Sequence, residues 1–156
     1  DGISFPGHFL VRLPVDDGIL VMDPFNKGRS LSTDELRDRA SSHFGGQSPD
    51  DTELLHILAP ATHRAILMRM LRNLKALYVD KDDWERVARS SDRILKLAPS
   101  LGEEIRDRGL AYLKLGHASG ARDDLARYLS VQPEAPDAEA IRGLLIEATG
   151  KAQRLN

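Results

Sequence analysis

Residues 74–99, LKALYVDKDDWERVARSSDRILKLAP, and residues 108–133, RGLAYLKLGHASGARDDLARYLSVQP, repeat one another at an offset of 34. Tyr78 falls on Tyr112, Leu95 on Leu129 and Pro99 on Pro133. In each copy one amphipathic stretch, a short turn and a second amphipathic stretch close on proline. The period predicts pairs of antiparallel helices stacked side by side, each pair burying a face against the next.

A 34-residue helical hairpin is the spacing of the tetratricopeptide repeat, an architecture that binds rather than transforms. In those terms the small first-helix residue is Gly109, the packing aromatics are Tyr78 and Tyr112, and the small second-helix residue is Ala121. Lys75 stands where Gly109 stands one repeat later, and Ser91 where Leu125 stands, so the first repeat is degenerate. Working outward, the apolar residues Ile66, Leu67, Met70, Leu71, Leu74, Leu77 and Tyr78 fall at three- and four-residue spacing and predict one face of a long helix from Ala61 to about Asp80. Leu54, Leu55, Ile57 and Leu58 predict a short helix stopped before Pro60. Residues 137–148 predict a further helix that caps the stack. The fold class expected is mainly α, an α–α superhelix over 50–156.

The first 46 residues read differently. His8 to Leu13 and Gly18 to Met22 are short apolar runs joined by Asp16-Asp17-Gly18, a β-hairpin signal. A lone hairpin is marginal in water, and its faces, with Phe9, Val11, Leu20 and Met22, are expected to be half covered, inviting dimerisation through an incomplete sheet or disorder of the first 25 residues. Ser32 with Glu35 three residues on is a capping box opening a helix near 33–42. Gly45-Gly46-Gln47-Ser48-Pro49 has the composition of a linker, and the domain boundary is expected there, between 1–46 and 50–156. The chain starts at Asp1 directly upon a strand-like segment, which reads as a piece of a longer protein.

Composition narrows the functions. With 156 residues the chain can bury one good core or two small ones. Its 22 basic and 24 acidic side chains leave a net charge of −2, which gives no electrostatic reason to expect nucleic acid. It contains no cysteine, so no disulfide, thiolate metal site or thiol nucleophile lies within it. No apolar run approaches a membrane span and no signal-peptide pattern opens the sequence, which makes the cytoplasm the expected location.

Two places invite chemistry. His8 begins one predicted strand and Asp23 ends its neighbour, so the two side chains are expected side by side across the ladder. A carboxylate beside an imidazole fixes its tautomer and raises its basicity. The plainer reading makes His8 a partly buried strand residue and Asp23 the start of an Asx-Pro turn. Two ligands are too few for a closed zinc site, so no metal and no cofactor is expected. The second place is the concave face of the repeats, where Arg69, Arg72, Asn73 and Ala76 of one repeat and Arg106 and Leu110 of the next should point inward. Arginines there could hold an acidic peptide, or pair with local acids such as Glu103, Glu104 and Asp107.

Phe5-Pro6-Gly7-His8-Phe9-Leu10-Val11-Arg12, then Asp23-Pro24-Phe25-Asn26, then Arg69-Met70-Leu71-Arg72-Asn73-Leu74-Lys75 and Tyr78, resemble the bacterial invasion-gene regulator SirB family. The resemblance implies a transglutaminase-like domain followed by tetratricopeptide repeats, with this chain as the C-terminal portion. It implies that His8 and Asp23 occupy the transglutaminase-like His and Asp positions, and that the helix normally bearing the cysteine lies upstream of Asp1. The function expected is a non-catalytic regulatory scaffold that binds a protein or peptide, with neither nucleic acid nor membrane as partner. The alternative is a fragment of a thiol acyl transferase or protease, with His8 as base, Asp23 as its orienter and the nucleophile upstream.

Overall fold

The computed structural model describes residues 1–154. Four strands come first: β1 (Gly2–Ile3), β2 (Leu10–Val15), β3 (Gly18–Asp23) and β4 (Arg29–Leu31). Seven helices follow: α1 (Thr33–Ser41), α2 (Asp51–Ile57), α3 (His63–Val79), α4 (Trp84–Leu97), α5 (Gly102–Lys114), α6 (Ala118–Val131) and α7 (Ala138–Arg154). The chain divides into two compact units, Asp1–Ile66 and the residues from Leu67 onward.

In the first unit the expected hairpin is the centre of a four-stranded antiparallel sheet in the order β1-β2-β3-β4. Val15 faces Gly18 and Arg12 faces Val21, so Asp16-Asp17 is the two-residue turn. Pro14 is tolerated within β2 because β1 reaches only Leu10 and Val11, leaving that edge free. One sheet face carries the core: Ile3, Leu10, Val21 and Leu31 pack with Phe5, Leu36, Ala40, Leu54 and Leu58. The opposite face holds Phe9, Val11, Leu20 and Met22, all half-buried, with Leu13 and Val15 exposed.

Glycine and serine at 45–48 suggested a boundary, but this core draws Leu54 and Leu58 of the α2 segment beneath the sheet. The first unit accordingly runs past the expected linker. Two capping boxes set its helix starts, Ser32 with Glu35 at α1 and Asp50 with Glu53 at α2.

In the second unit the repeat is reproduced in several equivalent backbone bonds. Asp83 N–H donates to the Tyr78 carbonyl as His117 N–H does to Tyr112, both at 2.9 Å. Ala98 N–H donates to Ile94 as Gln132 N–H does to Tyr128, both at 2.8 Å. Leu95, Ile105, Leu125, Tyr128 and Ile141 form one buried cluster across α4 to α7, and Val87, Ala88 and Ala111 a second, flanked by Tyr78, Trp84 and Tyr112. The long apolar face expected on α3 is only partly used. No residue of α3 is fully buried, and Leu67, Met70, Leu74 and Leu77 stay 41–55% exposed. Periodicity shows that a helix has an apolar face; whether another element covers it is a matter of tertiary packing.

Candidate functional site

The turn after β3 positions the first candidate. Asp23 caps a single 3-10 turn, Pro24–Asn26, with its Oδ1 accepting the N–H groups of Phe25 (3.0 Å) and Asn26 (3.3 Å). The same oxygen lies 3.1 Å from His8 Nε2, and Oδ2 accepts from Arg39 at 3.0 Å. The carboxylate is 3% exposed, whereas the His8 side chain is 37% exposed. The Phe25 ring meets the imidazole edge-on at 5.5 Å. Both expected residues are thus brought together, and the Asx-turn role of Asp23 holds beside the pairing.

Burial pushes the Asp23 carboxyl upward. The hydrogen bonds from Arg39 and His8, the nearby imidazole and the Phe25 N–H outweigh it and bring the pKa down to about 2. Asp23 is therefore ionised and accepts at Oδ1, so Nε2 of His8 carries a hydrogen and Nδ1 is the ring atom left to act. Such an imidazole can take or deliver a proton, but acyl transfer also needs a nucleophile. The chain has no cysteine to supply one. Among the described residues no group of three or more His, Cys, Asp or Glu side chains could hold a metal ion.

Sequence reasoning gives no hint of Arg39. It sits in the last turn of α1, three residues after the buried Leu36, which lays it along the edge of the face that α1 turns to the sheet. The only signal in the sequence is the capping box that fixes where α1 starts.

The second candidate lies where α3, α5 and the start of α7 meet. Arg106 is committed: Nε and the guanidinium NH2 group donate to Asp107 Oδ1 at 3.1 and 2.9 Å, and NH1 donates to Asp137 Oδ2 at 2.9 Å. Desolvation opposes its charge, but those carboxylates hold its pKa above the ordinary value. Asp137 in turn accepts from the Tyr128 hydroxyl at 2.6 Å, which lowers the carboxyl and raises the phenol. Arg72 touches Glu104 at 3.5 Å and is half exposed. Arg69 is half-buried and Asn73 exposed on α3.

Lys75 joins this ladder, donating to Glu104 Oε2 and Asp107 Oδ2 at 2.6 Å each. Glu104 is 2% exposed and also accepts from Ser91 Oγ at 3.1 Å. The sequence marks Lys75 only as a departure from the repeat.

Comparison with known proteins divides the chain in the same sense. Residues 1–72 match the transglutaminase-like superfamily and residues 74–145 a tetratricopeptide repeat family. A UPF0162 protein of Xylella fastidiosa (strain Temecula1) is 60% identical over 151 residues, covering 97% of this chain and 54% of the relative. The UPF0162 protein YchA of Escherichia coli K12 is 33% identical over 141 residues, covering 90% and 51%. Protein SirB1 of Salmonella typhimurium is 29% identical over the same length, covering 90% and 51%. The chain spans about half the length of the curated relatives it matches. Among solved structures, the C-terminal TPR-containing domain of a Plasmodium falciparum protein named as FK506-binding aligns with a TM-score of 0.52 at 18% identity, covering 78% of this chain and 80% of that one. That likeness concerns the fold alone. No described helix is long and apolar enough to cross a membrane.

Proposed function

We propose that this chain, which belongs with the SirB family and joins a transglutaminase-like region to tetratricopeptide repeats, acts as a non-catalytic scaffold that binds another protein in the cytoplasm. The observation that supports this best is the repeat itself, whose two turns share the bonds from Asp83 to Tyr78 and from His117 to Tyr112. Stacked hairpins offer an extended face of first helices, the usual platform for a peptide. On that face Arg72 is the cation with reach, being half exposed and held by one long contact. Arg69 and Asn73 extend it along α3, and Arg106 orders Asp107 and Asp137 behind it. A titration with an acidic peptide, followed by NMR, should shift α3 and α5 resonances and lose that effect in Arg72→Ala and Arg106→Ala chains. No binding at millimolar peptide would end the acidic-peptide version.

The 3.1 Å contact between His8 and Asp23 favours a second reading, a fragment of a thiol acyl transferase or protease. Here His8 Nδ1 would serve a cysteine supplied by a longer protein. Iodoacetamide labelling of a relative-length protein tests it: His8→Ala should slow alkylation near neutral pH, because it removes the partner of the thiolate. An unchanged rate makes His8 and Asp23 structural.

A further inference from the structure

We propose that the cleft between α4 and the α5–α6 turn binds a small organic acid, a single carboxylate carried on an apolar body. Neither Arg72 nor Arg106 lines it, so the site does not rest on the acidic-peptide reading of the first helices. The cleft has a volume of about 530 Å³. That falls within the ~300–1,000 Å³ usual for small-ligand sites. Ala88, Tyr112 and Leu115 supply apolar wall, and Arg93 and His117 stand at its edge. Ala88 is buried, Tyr112 and Leu115 are half-buried, and the two edge residues are exposed. The Tyr112 ring is held from two sides. His117 meets it edge-on at 6.0 Å, and the Arg108 guanidinium lies 6.0 Å from its centre.

Uncommitted donors select the ligand. Arg89, Arg93 and Lys96 fall at four- and three-residue spacing along one face of α4. Arg89 is paired with Glu85 at 2.5 Å and Lys96 with Asp92 at 3.0 Å. Arg108 of α5 holds Asp92 at 2.9 Å and Asp124 at 2.7 Å. The bonds from Lys96 and Arg108 keep the Asp92 carboxyl below its ordinary range, so it stays ionised and occupied. Lys114, at the end of α5, faces the Trp84 ring and does not line the cleft. Glu85, Asp92 and Asp124 are thus matched by Arg89, Lys96 and Arg108, and Arg93 is left over. Among the described residues its guanidinium has no hydrogen bond or ion pair. Its counterpart one repeat on, Arg127, donates to the Pro99 carbonyl at 2.8 Å. The Tyr112 hydroxyl and the His117 ring nitrogens also have no hydrogen-bond partner among the described residues. A carboxylate can accept two parallel bonds from one guanidinium and a third from a phenol. A phosphate dianion would bring a second charge for which no cation is free, and an uncharged group would gain nothing from Arg93. The apolar body covers Ala88, Leu115 and the Tyr112 ring.

The test titrates the 156-residue chain with benzoate and follows the Tyr112 ring and the amides of Leu115 to His117 by NMR. Benzamide keeps the ring without the charge, and inorganic phosphate keeps a charge without the ring. An acetylated Gly-Ser peptide ending in Phe is used with a free and with an amidated C-terminus. Benzoate should bind with a dissociation constant on the order of 1 mM. It should bind at least about ten-fold more tightly than benzamide or phosphate. Arg93→Gln, at an exposed position, should cost about ten-fold, and Tyr112→Phe, which keeps the ring, about three-fold. Binding of the free-carboxylate peptide beside benzoate makes a polypeptide end the source of the acid; binding of benzoate alone makes it a free small acid. Both carry the proposed chemistry. Equal binding of benzoate and phosphate overturns the site, as do shifts that survive Arg93→Gln unchanged. Silence from every probe at tens of millimolar overturns it as well. Arg72→Ala should leave benzoate binding intact, so this site and the acidic-peptide scaffold stand or fall separately.

Discussion

The two hairpins of the second unit share one backbone plan and two different interiors. In α5/α6 a Cβ added to Gly109 would stand 2.9 Å from Leu125 Cδ2, so the missing side chain is what lets the leucine close on the helix. At the corresponding positions of α3/α4 stand Lys75 and Ser91. The contact is replaced by a polar one: Lys75 and Ser91 both donate to Glu104, which reaches back from α5. One repeat closes by shape and the next by charge. The departures at 75 and 91 are therefore a matched pair, because a lysine without an acid, or a serine without an acceptor, would be buried at a cost.

The largest effect should come from breaking the shape-closed repeat. Leu125 is fully buried in the cluster of α4 to α7. Leu125→Ala leaves a cavity beneath Gly109 and should cost about 2–5 kcal/mol, read by urea denaturation. A loss under about 1 kcal/mol would mean the helices collapse onto the gap, and the contrast between the repeats would lose its basis.

Breaking the charge-closed repeat should cost less. Glu104→Gln keeps the shape but removes the charge that Lys75 and Ser91 address, while Asp107 still holds the ammonium. About 1.5–3 kcal/mol is expected, the range for hydrogen bonds to charged groups. The sharper experiment adds Lys75→Met: with no ammonium left to satisfy, the double variant should recover part of the loss. Strict additivity of the two changes would show that the lysine and the acid act independently.

A third contrast lies in the turns. Asp82 and Gly116 occupy the same position 34 residues apart, and both have a left-handed backbone, with φ of 53° and 76°. Only the glycine takes that conformation without steric cost. Gly116→Ala should destabilise by about 1–2 kcal/mol. Asp82→Gly should change stability by no more than about 1 kcal/mol, since relief of strain is offset by the looser unfolded chain. Equal losses from both would mean that the turn backbones differ in solution.

What the sequence could reveal follows from how local each signal is. The 34-residue offset is written in Tyr78/Tyr112 and Pro99/Pro133, and α1 in Ser32 and Glu35, all within a few turns of chain. The approach of His8 to Asp23 was readable only coarsely: His8 was expected to begin the strand, but β2 starts at Leu10 and His8 reaches Asp23 from the bend before it. β1 and β4 were not readable: strands of two and three residues carry no periodicity and form only because β2 and β3 offer open edges. Arg39 stayed hidden for a related reason, and Glu104, named only as an acid for the groove arginines, was not read as the partner of Lys75 and Ser91. Each is a charged helical residue whose partner lies far along the chain, and the rule that charges face water holds until such a partner exists. The repeat comparison did flag Lys75 and Ser91, but as decay, since an alignment of two copies cannot show that a third residue answers both.

Acid should act on both units, and its effect on the first can be traced to Asp23. Asp23 has a pKa of about 2 when folded, against the ordinary 3.8. A depressed carboxyl favours the folded state above the unfolded pKa, and that contribution fades as pH falls from about 4 towards 2. Protonation removes the charge that Arg39 and His8 address, while the Arg39 and His8 cations are left facing each other across a neutral acid. The first unit should therefore loosen over this window, seen in the methyl resonances of Ile3 and Leu10. Trp84 emission reports the second unit, whose Asp92 and Asp137 carboxyls are also lowered, by Lys96 and by Tyr128 respectively. Asp23→Asn should flatten the acid response at Ile3 and Leu10 and leave the Trp84 curve in place. If the Asp23→Asn chain still loosens at Leu10 over the same pH window, the buried carboxylate is not what ties the sheet to its turn.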